Sequence, residues 1–342
     1  MHVCHRVFAP QLRSVAEQMF LTMQVPQRIA EVVAEILVDS DLCGHDSHGI
    51  QLLPLTLMQI EQGQIRPAVK PVVIRESAAV LQVDVGHGLA FYAAKTTMDR
   101  LVEKAMESGI CCGTLVNYGN TGRLGHFVEM AAHQGCIALI TNARGGGGSV
   151  APFGGREGVM GTNPIAAGVP TGEGSPFVMD FSTGMIANGK ILQALTNSLT
   201  LPSGCVRDKN GKPTTSPTGF MDGGTMLPFG GHKGYGIGLL TCLLGALNGD
   251  FSTDDSTMRG MYMQVIQVDA LMDCKQYQGF VRSFLNFVQA SNPVSGFNEV
   301  LVPGQSASRI RNKRLEDGIE LPDAVFQQLV EWGEKLGVEI PG

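Results

Sequence analysis

Apolar positions recur at helical spacing over 10–23 and again over 26–42, where Ile29, Val32, Val33, Ile36 and Leu37 share one face. That spacing predicts two consecutive amphipathic helices, and Pro26 suits the first turn of the second. A third helix is expected from about His48 to Gln62, stopped at Gly63, with Pro54 inside it as a source of bending. The period then changes. Val72–Ile74 and Val80–Val83 read as short strands, 89–108 as a helix, and Ile110–Asn117 as a strand. Leu124–Gln134 reads as a helix stopped at Gly135, and Ile137–Asn142 as a strand. From 144 to 175 glycines and Pro152, Pro164 and Pro170 break the pattern, which predicts loop; the strand Phe177–Phe181 follows. Residues 195–230 read mostly as loop, with turn signals at Pro202-Ser203-Gly204 and Lys209-Asn210-Gly211. Ile237–Leu247 is an apolar helix, Tyr262–Val268 a strand, and 275–290 and 322–336 are helices. Interleaved strands and helices give a mixed α/β class, although helices crowd the N-terminus and no clean βαβ alternation appears.

Composition narrows the function. A chain of 342 residues holds two or three lobes. Hydrophobic residues at 44% against 16% charged imply a large apolar interface, hence a homo-oligomer. A net charge of −6 without a basic run argues against a nucleic-acid partner. The densest basic cluster, Arg309, Arg311, Lys313 and Arg314, reads first as a solvated helix face and second as a cofactor-phosphate site. Residues 1–9 lack an apolar core of signal-peptide length, and no run of ~18 apolar residues occurs, so no membrane span is expected. Eight cysteines without a Cys-x-x-Cys pair point to reduced thiols and a cytoplasmic setting.

Chemistry concentrates at Gly44-His-Asp-Ser-His-Gly49. Ser47 is an expected N-cap, which would place His48 in the first turn of the third helix, where the helix dipole favours a neutral imidazole. A nearby carboxylate would restore its basicity, and a histidine so balanced moves protons near neutral pH. Cys43, His45, Asp46 and His48 are metal ligands by type, but their spacing is not that of a structural zinc site. A metal-assisted hydrolase or lyase on His45, Asp46 and His48 is the reading from another class. The glycines at 145–148 are followed by Pro152, not by a helix pattern, so a Rossmann fingerprint is rejected there in favour of a flexible loop. Gly184 to Lys190 resembles a phosphate loop but ends on Ile191, where a magnesium-binding hydroxyl belongs. No Gly-x-Ser-x-Gly elbow occurs. Gly161-Thr-Asn-Pro164, Asp180 with Ser182 and Thr183 at a strand end, and Gly230 to Gly236 with Lys233 at a helix start are three further candidate ligand segments.

In order and spacing, several motifs together resemble the malate/L-lactate dehydrogenase family, whose cofactor-binding fold is not Rossmann. They are residues 44–49, Gly-Arg-Leu-Gly (122–125), Ala-Pro-Phe-Gly-Gly-Arg-Glu (151–157), Gly-Thr-Asn-Pro (161–164) and Met-Asp-Phe-Ser (179–182). They continue with Gly-Lys (189–190), residues 208–217, Gly-His-Lys-Gly-Tyr-Gly (231–236) and Val-Pro-Gly-Gln (302–305). The resemblance implies a homodimer that uses NADH or NADPH on a small-molecule substrate, without a metal. It implies a helical N-terminal part of a substrate and dimerisation domain (1–75), an NAD(P)-binding domain (76–255) and a C-terminal part packing back on the first (256–342). His48 then corresponds to the proton donor or acceptor and Asp180 to its carboxylate partner. Phe181, Ser182, His232, Lys233, Gly304, Gln305 and Ser306 correspond to cofactor positions, and Asn120 and Thr162 to substrate positions. The implied reaction moves a hydride between nicotinamide and C2 of a 2-oxo or 2-hydroxy acid of malate, lactate or ureidoglycolate type. Cyclic imino-acid (pyrroline- or piperideine-2-carboxylate) reduction is the alternative within the family. Three positions depart from the family pattern: Leu52 replaces a carboxylate-binding arginine, Thr56 a tyrosine, and Asn120 a histidine. Either Arg123 or Arg144 takes the arginine's place, or the substrate differs. A third hypothesis is a family member that binds a ligand without turnover.

Overall fold

The computed structural model describes residues 4–144, 146–196, 198–249 and 259–341. Gly145 of the glycine run and the boundary placed at 255–256 lie outside them. Strand β1 (Cys4–Val7) leads into helices α1 (Ala9–Thr22), α2 (Gln27–Leu42) and α3 (Leu52–Glu61). Then come β2 (Val72–Glu76), β3 (Val80–Asp84), α4 (Ala90–Ser108), β4 (Ile110–Val116), α5 (Leu124–His133) and β5 (Cys136–Arg144). The middle of the chain holds β6 (Ile165–Val169), β7 (Phe177–Phe181), α6 (Asn188–Thr196), β8 (Val206–Arg207), β9 (Pro213–Thr214), α7 (Pro217–Met221) and β10 (Thr225–Met226). Helix α8 (His232–Gly245), β11 (Arg259–Gln267), α9 (Cys274–Gln289), α10 (Gln305–Asp317), β12 (Ile319–Pro322) and α11 (Asp323–Leu336) complete it.

The organising element is a seven-stranded mixed sheet in the order β2-β3-β4-β11-β5-β6-β7. Only β3 and β4 run parallel; every other pair is antiparallel. Helices α4 and α5 cover one face, and α8 packs on β5 and β11 from the other. Helix α2 lies over α4 and α5, so the N-terminal helices rest on the sheet's first cover layer. The chain ends meet there: β1 pairs with β12, and α11 packs on α1 and α3. The main core is continuous from α1 and α2 through α4 and α5 to the sheet.

Two expectations are corrected. Helix α3 begins at Leu52, not at His48; residues 46–48 form a separate 3-10 turn, and Pro54 falls in the first helical turn, where its missing N–H costs nothing. Strand β6 lies where loop was expected. Its sequence, Ile-Ala-Ala-Gly-Val, is small because α5 crosses closest there: a Cβ on Gly168 would stand 2.3 Å from the Val128 carbonyl oxygen. Residues 195–230 are mostly loop as expected, with the short strands β8 to β10 and α7 set in it, and α8 starts at His232, inside the glycine segment expected to open it. No described helix is long and apolar enough to cross a membrane.

Candidate active site

The turn at 44–49 is built by α2 and closed by α3. Gly44 leaves α2 at φ +77°, a conformation that favours glycine. His45 N–H then returns to the Ser40 carbonyl, and His48 N–H to that of His45. Beneath the turn lies Asp41, 1% exposed, whose Oδ2 accepts the Ile50 N–H at 2.7 Å. Burial pushes the Asp41 carboxyl well above its ordinary pKa, against that hydrogen bond. Ser47 is not an N-cap: its hydroxyl meets His48 Nδ1 at 2.9 Å, inside the 3-10 turn. The helix dipole therefore does not act on His48 as expected. Its pKa is lowered instead by burial, with Asp180 pulling it up and Arg123 pushing it down.

Asp180 stands near the end of the edge strand β7. Its Oδ2 accepts the N–H of Gly125 at 2.7 Å, in the first turn of α5, where a carboxylate is favoured. No hydrogen bond joins it to His48; the two interact through charge. Arg123 stands before α5 and is 3% exposed. Its Nη2 donates to Asp39 Oδ2 at 3.0 Å and to Glu129 at 3.2 Å. Asp39 is a hub, also paired with His126 and Arg311. Burial works against its ionised form, but His126, Arg123 and Arg311 hold its carboxyl far below the usual carboxylate range. Gly125 is small because a Cβ there would stand 2.7 Å from Arg123 Nη1 and 3.0 Å from Asp180 Oδ2. From the opposite side Gly189, at the start of α6, meets Ser47: its missing Cβ would lie 3.0 Å from the Ser47 Cβ. The turn, the β7 end and the α6 start thus converge.

The remaining expected residues divide by sheet face. Ser182 donates to the Thr162 carbonyl at 3.0 Å, as do the Thr183 hydroxyl and N–H, which locks 161–164 to the end of β7. Asn120 is exposed, and its side chain accepts the Gly122 N–H, shaping the entry to α5. Phe181 points away from Asp180 and meets Phe229 edge-on at 5.3 Å, on the α8 side. There His232 and Lys233 open α8 after Gly230 and Gly231, both at positive φ. His232 lies edge-on to Phe153, beside a cavity of about 470 Å³ walled by Pro152, Phe153, Leu227, Pro228 and Gly231. Gly304, at φ +96°, seats α10 against the start of β7. Gln305 spends its side-chain oxygen on the Val302 N–H, and Ser306 is exposed.

Several sequence readings change here. Cys43, His45, Asp46 and His48 do not form a ligand set: Asp46 pairs with Arg314, and among the described residues it is Asp39, Cys43 and Glu129 that cluster. Both carboxylates of that cluster are already bound by arginines. The basic cluster divides: Arg309 and Lys313 are solvated as expected, whereas Arg311 and Arg314 bind Asp39 and Asp46. Leu52 and Thr56 are tied into α3 itself: the Thr56 hydroxyl donates to the Leu52 carbonyl at 2.8 Å. Asp39 and Asp41 were missed as site residues. Two acids on the apolar stripe of α2 were the available signal, since buried carboxylates need partners.

The family model described as malate/L-lactate dehydrogenase matches residues 7–330. The L-sulfolactate dehydrogenase of Methanocaldococcus jannaschii is 34% identical over 326 residues, 92% of this chain and 93% of that protein. The solved structure of sulfolactate dehydrogenase from Methanocaldococcus jannaschii superposes with a TM-score of 0.91 at 32% identity, covering 98% of each chain. The structure of delta1-piperideine-2-carboxylate reductase from Pseudomonas syringae pvar. tomato gives 0.83 at 29% identity, covering 96% of this chain and 99% of that one.

Proposed function

The chain belongs to the malate/L-lactate dehydrogenase family, and on that premise we propose that it is a nicotinamide-dependent oxidoreductase of 2-hydroxy and 2-oxo acids with His48 as the proton-transfer group. Its enzymatic class, an oxidoreductase, follows from the family. The observation that carries the finer reading is the half-buried His48 between the opposing charges of Asp180 and Arg123. A neutral imidazole there accepts the C2 hydroxyl proton of a hydroxy acid, and an imidazolium returns it to an oxo acid. Asp180, fixed by Gly125, steadies the charged form across space. When bound, the nicotinamide supplies or takes the hydride. The donor set suits such a cofactor: the start of α8, which no side chain caps, and Lys233 for a phosphate, and apolar cavity walls for a flat ring. Phe181, Ser182 and Gly304 to Ser306 complete the proposed cofactor line along β7. NADH and NADPH are each titrated by fluorescence, then a panel of 2-oxo acids and cyclic imines is assayed. Binding with turnover supports the reading; binding of neither cofactor overturns it. Turnover of imines alone favours the imine-reductase alternative, for which the piperideine-carboxylate reductase fold is the support.

The substrate carboxylate needs an anchor that Leu52 cannot give. Of the two candidates, Arg144 is favoured by its place in the sheet. Arg144 shares a sheet face with Asp180, since Asp180 pairs with Ala166, Ala166 with Ile140, and Arg144 follows four residues on. Its Cβ also abuts Gly161, beside Thr162. Arg144→Gln is expected to raise KM for 2-oxo acids about 10- to 100-fold, the size of a lost charged hydrogen bond, with kcat within about threefold. An unchanged KM would place the carboxylate elsewhere.

The homodimer is likewise a proposal. Helix α9 has no buried residue, and Phe280, Phe284 and Phe287 form one face at 59%, 64% and 75% exposure. A stripe of that kind marks an interface. A solution mass twice that of the chain is the check.

A further inference from the structure

Helix α10 starts at the proposed cofactor segment and lies along α2 as far as the His48 turn. Gly304 places its first turn on β7: a Cβ there would stand 3.0 Å from both the Pro176 carbonyl oxygen and the Val178 nitrogen. Farther along, Ile310 closes over Gly44, its Cδ1 2.9 Å from where a Cβ would be. Arg311 holds Asp39 of α2. Arg314 then reaches across the turn, donating to the Asp41 backbone carbonyl and to the Asp46 carboxylate. One guanidinium thus ties the end of α2 to the first residue of the 3-10 turn whose third residue is His48. A planar fork with several donors can hold two acceptors at once; a lysine ammonium holds them less rigidly. Asp46 is exposed, and exposed ion pairs add little to stability, so this contact matters for geometry.

We propose that Arg314 is a positioning residue for proton transfer, setting the His48 imidazole relative to Asp180 by bridging the Asp41 carbonyl and Asp46. The inference rests on the reading of His48 as the proton-transfer group. Its consequence is that Arg314, on α10, controls turnover through the turn that carries His48.

The full chain is tested as Arg314→Gln, Arg314→Lys and Arg314→Ala, beside His48→Ala. Arg314→Gln is expected to keep NADH or NADPH affinity and substrate KM within about threefold while kcat falls roughly 10- to 30-fold, since a displacement of ~1 Å can cost up to 10²-fold. Arg314→Lys recovers part of that loss, and millimolar guanidinium added to Arg314→Ala restores part of its kcat. A folded Arg314→Gln enzyme with kcat within twofold of wild type overturns the proposal. So does a loss of kcat that tracks a lowered melting temperature and that neither lysine nor guanidinium relieves. Should Arg314→Gln fail to fold, the lysine and guanidinium responses decide. If His48→Ala keeps its turnover, the proton-transfer reading itself fails; if only Arg314→Gln does, the positioning role alone fails.

Discussion

Replacing His48 by alanine is expected to lower kcat by roughly 10²- to 10⁴-fold, the usual contribution of a positioned acid or base. Cofactor affinity should hold within a few-fold, because the imidazole is bonded to Ser47 and faces the charge of Asp180 rather than the proposed phosphate positions. The same residue sets the pH dependence. Burial lowers its pKa from the ordinary 6.5, Asp180 opposes this, and Arg123 adds to it. Oxidation of a hydroxy acid needs the neutral ring, so its kcat/KM should rise with pH through a pKa below 6.5 and be level at neutral pH. Reduction of an oxo acid needs the imidazolium, so its kcat/KM should fall about tenfold per pH unit above that same pKa. Steady-state profiles in both directions, on wild type and His48→Ala, are the measurement. A His48→Ala enzyme with full turnover and an unaltered profile would remove His48 from the chemistry.

How much of this was legible in the chain depends on the range of the interactions. Regular elements with a strong local period, such as α1, α2, α4 and β7, appear within a residue or two of the expected bounds. Strand β6 was hidden because its side chains were chosen by α5 above it, which a sequence window does not see. The hexapeptide was legible as chemistry, since its residue types are unusual together. Its mechanism of pKa control was not. Ser47 followed by a helical pattern is a good local capping signal, but Asp41 captures the Ile50 N–H from nine residues away and holds 46–48 in a separate turn. Arg123 was legible as a candidate carboxylate anchor, and Arg311 and Arg314 as part of a basic cluster, but not as partners of buried or turn carboxylates. Arg123 meets Asp39 across 84 residues, and Arg311 and Arg314 meet Asp39 and Asp46 across 272 and 268, so only the fold assigns these pairs. The departures at Leu52 and Asn120 follow the same logic: the sequence marks what is missing, and the sheet register offers Arg144 on the face of Asp180.

Gly49→Ala is expected to be a strongly damaging small substitution in the His48 turn. The backbone of Gly49 runs directly over Asp41: an added Cβ would stand 2.0 Å from Oδ1, 2.2 Å from Cγ and 2.5 Å from Oδ2. No rotamer of a methyl group avoids this, and the carboxyl cannot withdraw without releasing the Ile50 N–H it holds at 2.7 Å. Overpacking costs roughly 1–3 kcal/mol, and a stranded buried donor about 1–3 kcal/mol more. A loss of about 2–6 kcal/mol is therefore expected, with kcat falling as well because His48 is the preceding residue. The cause is separable from a general intolerance of the turn. Asp41→Ala vacates the space the methyl needs, at the cost of the Ile50 hydrogen bond alone. In the double variant that hydrogen bond is lost only once and the clash is gone. Its destabilisation should then be smaller than the sum of the single ones by about 2–6 kcal/mol, the clash plus the hydrogen bond otherwise counted twice, as expected of groups in direct contact. Denaturation of the four proteins measures it. Simple additivity would mean that Gly49 is required for its backbone freedom and not for the carboxyl beneath it, and the placement of His48 would then owe nothing to Asp41.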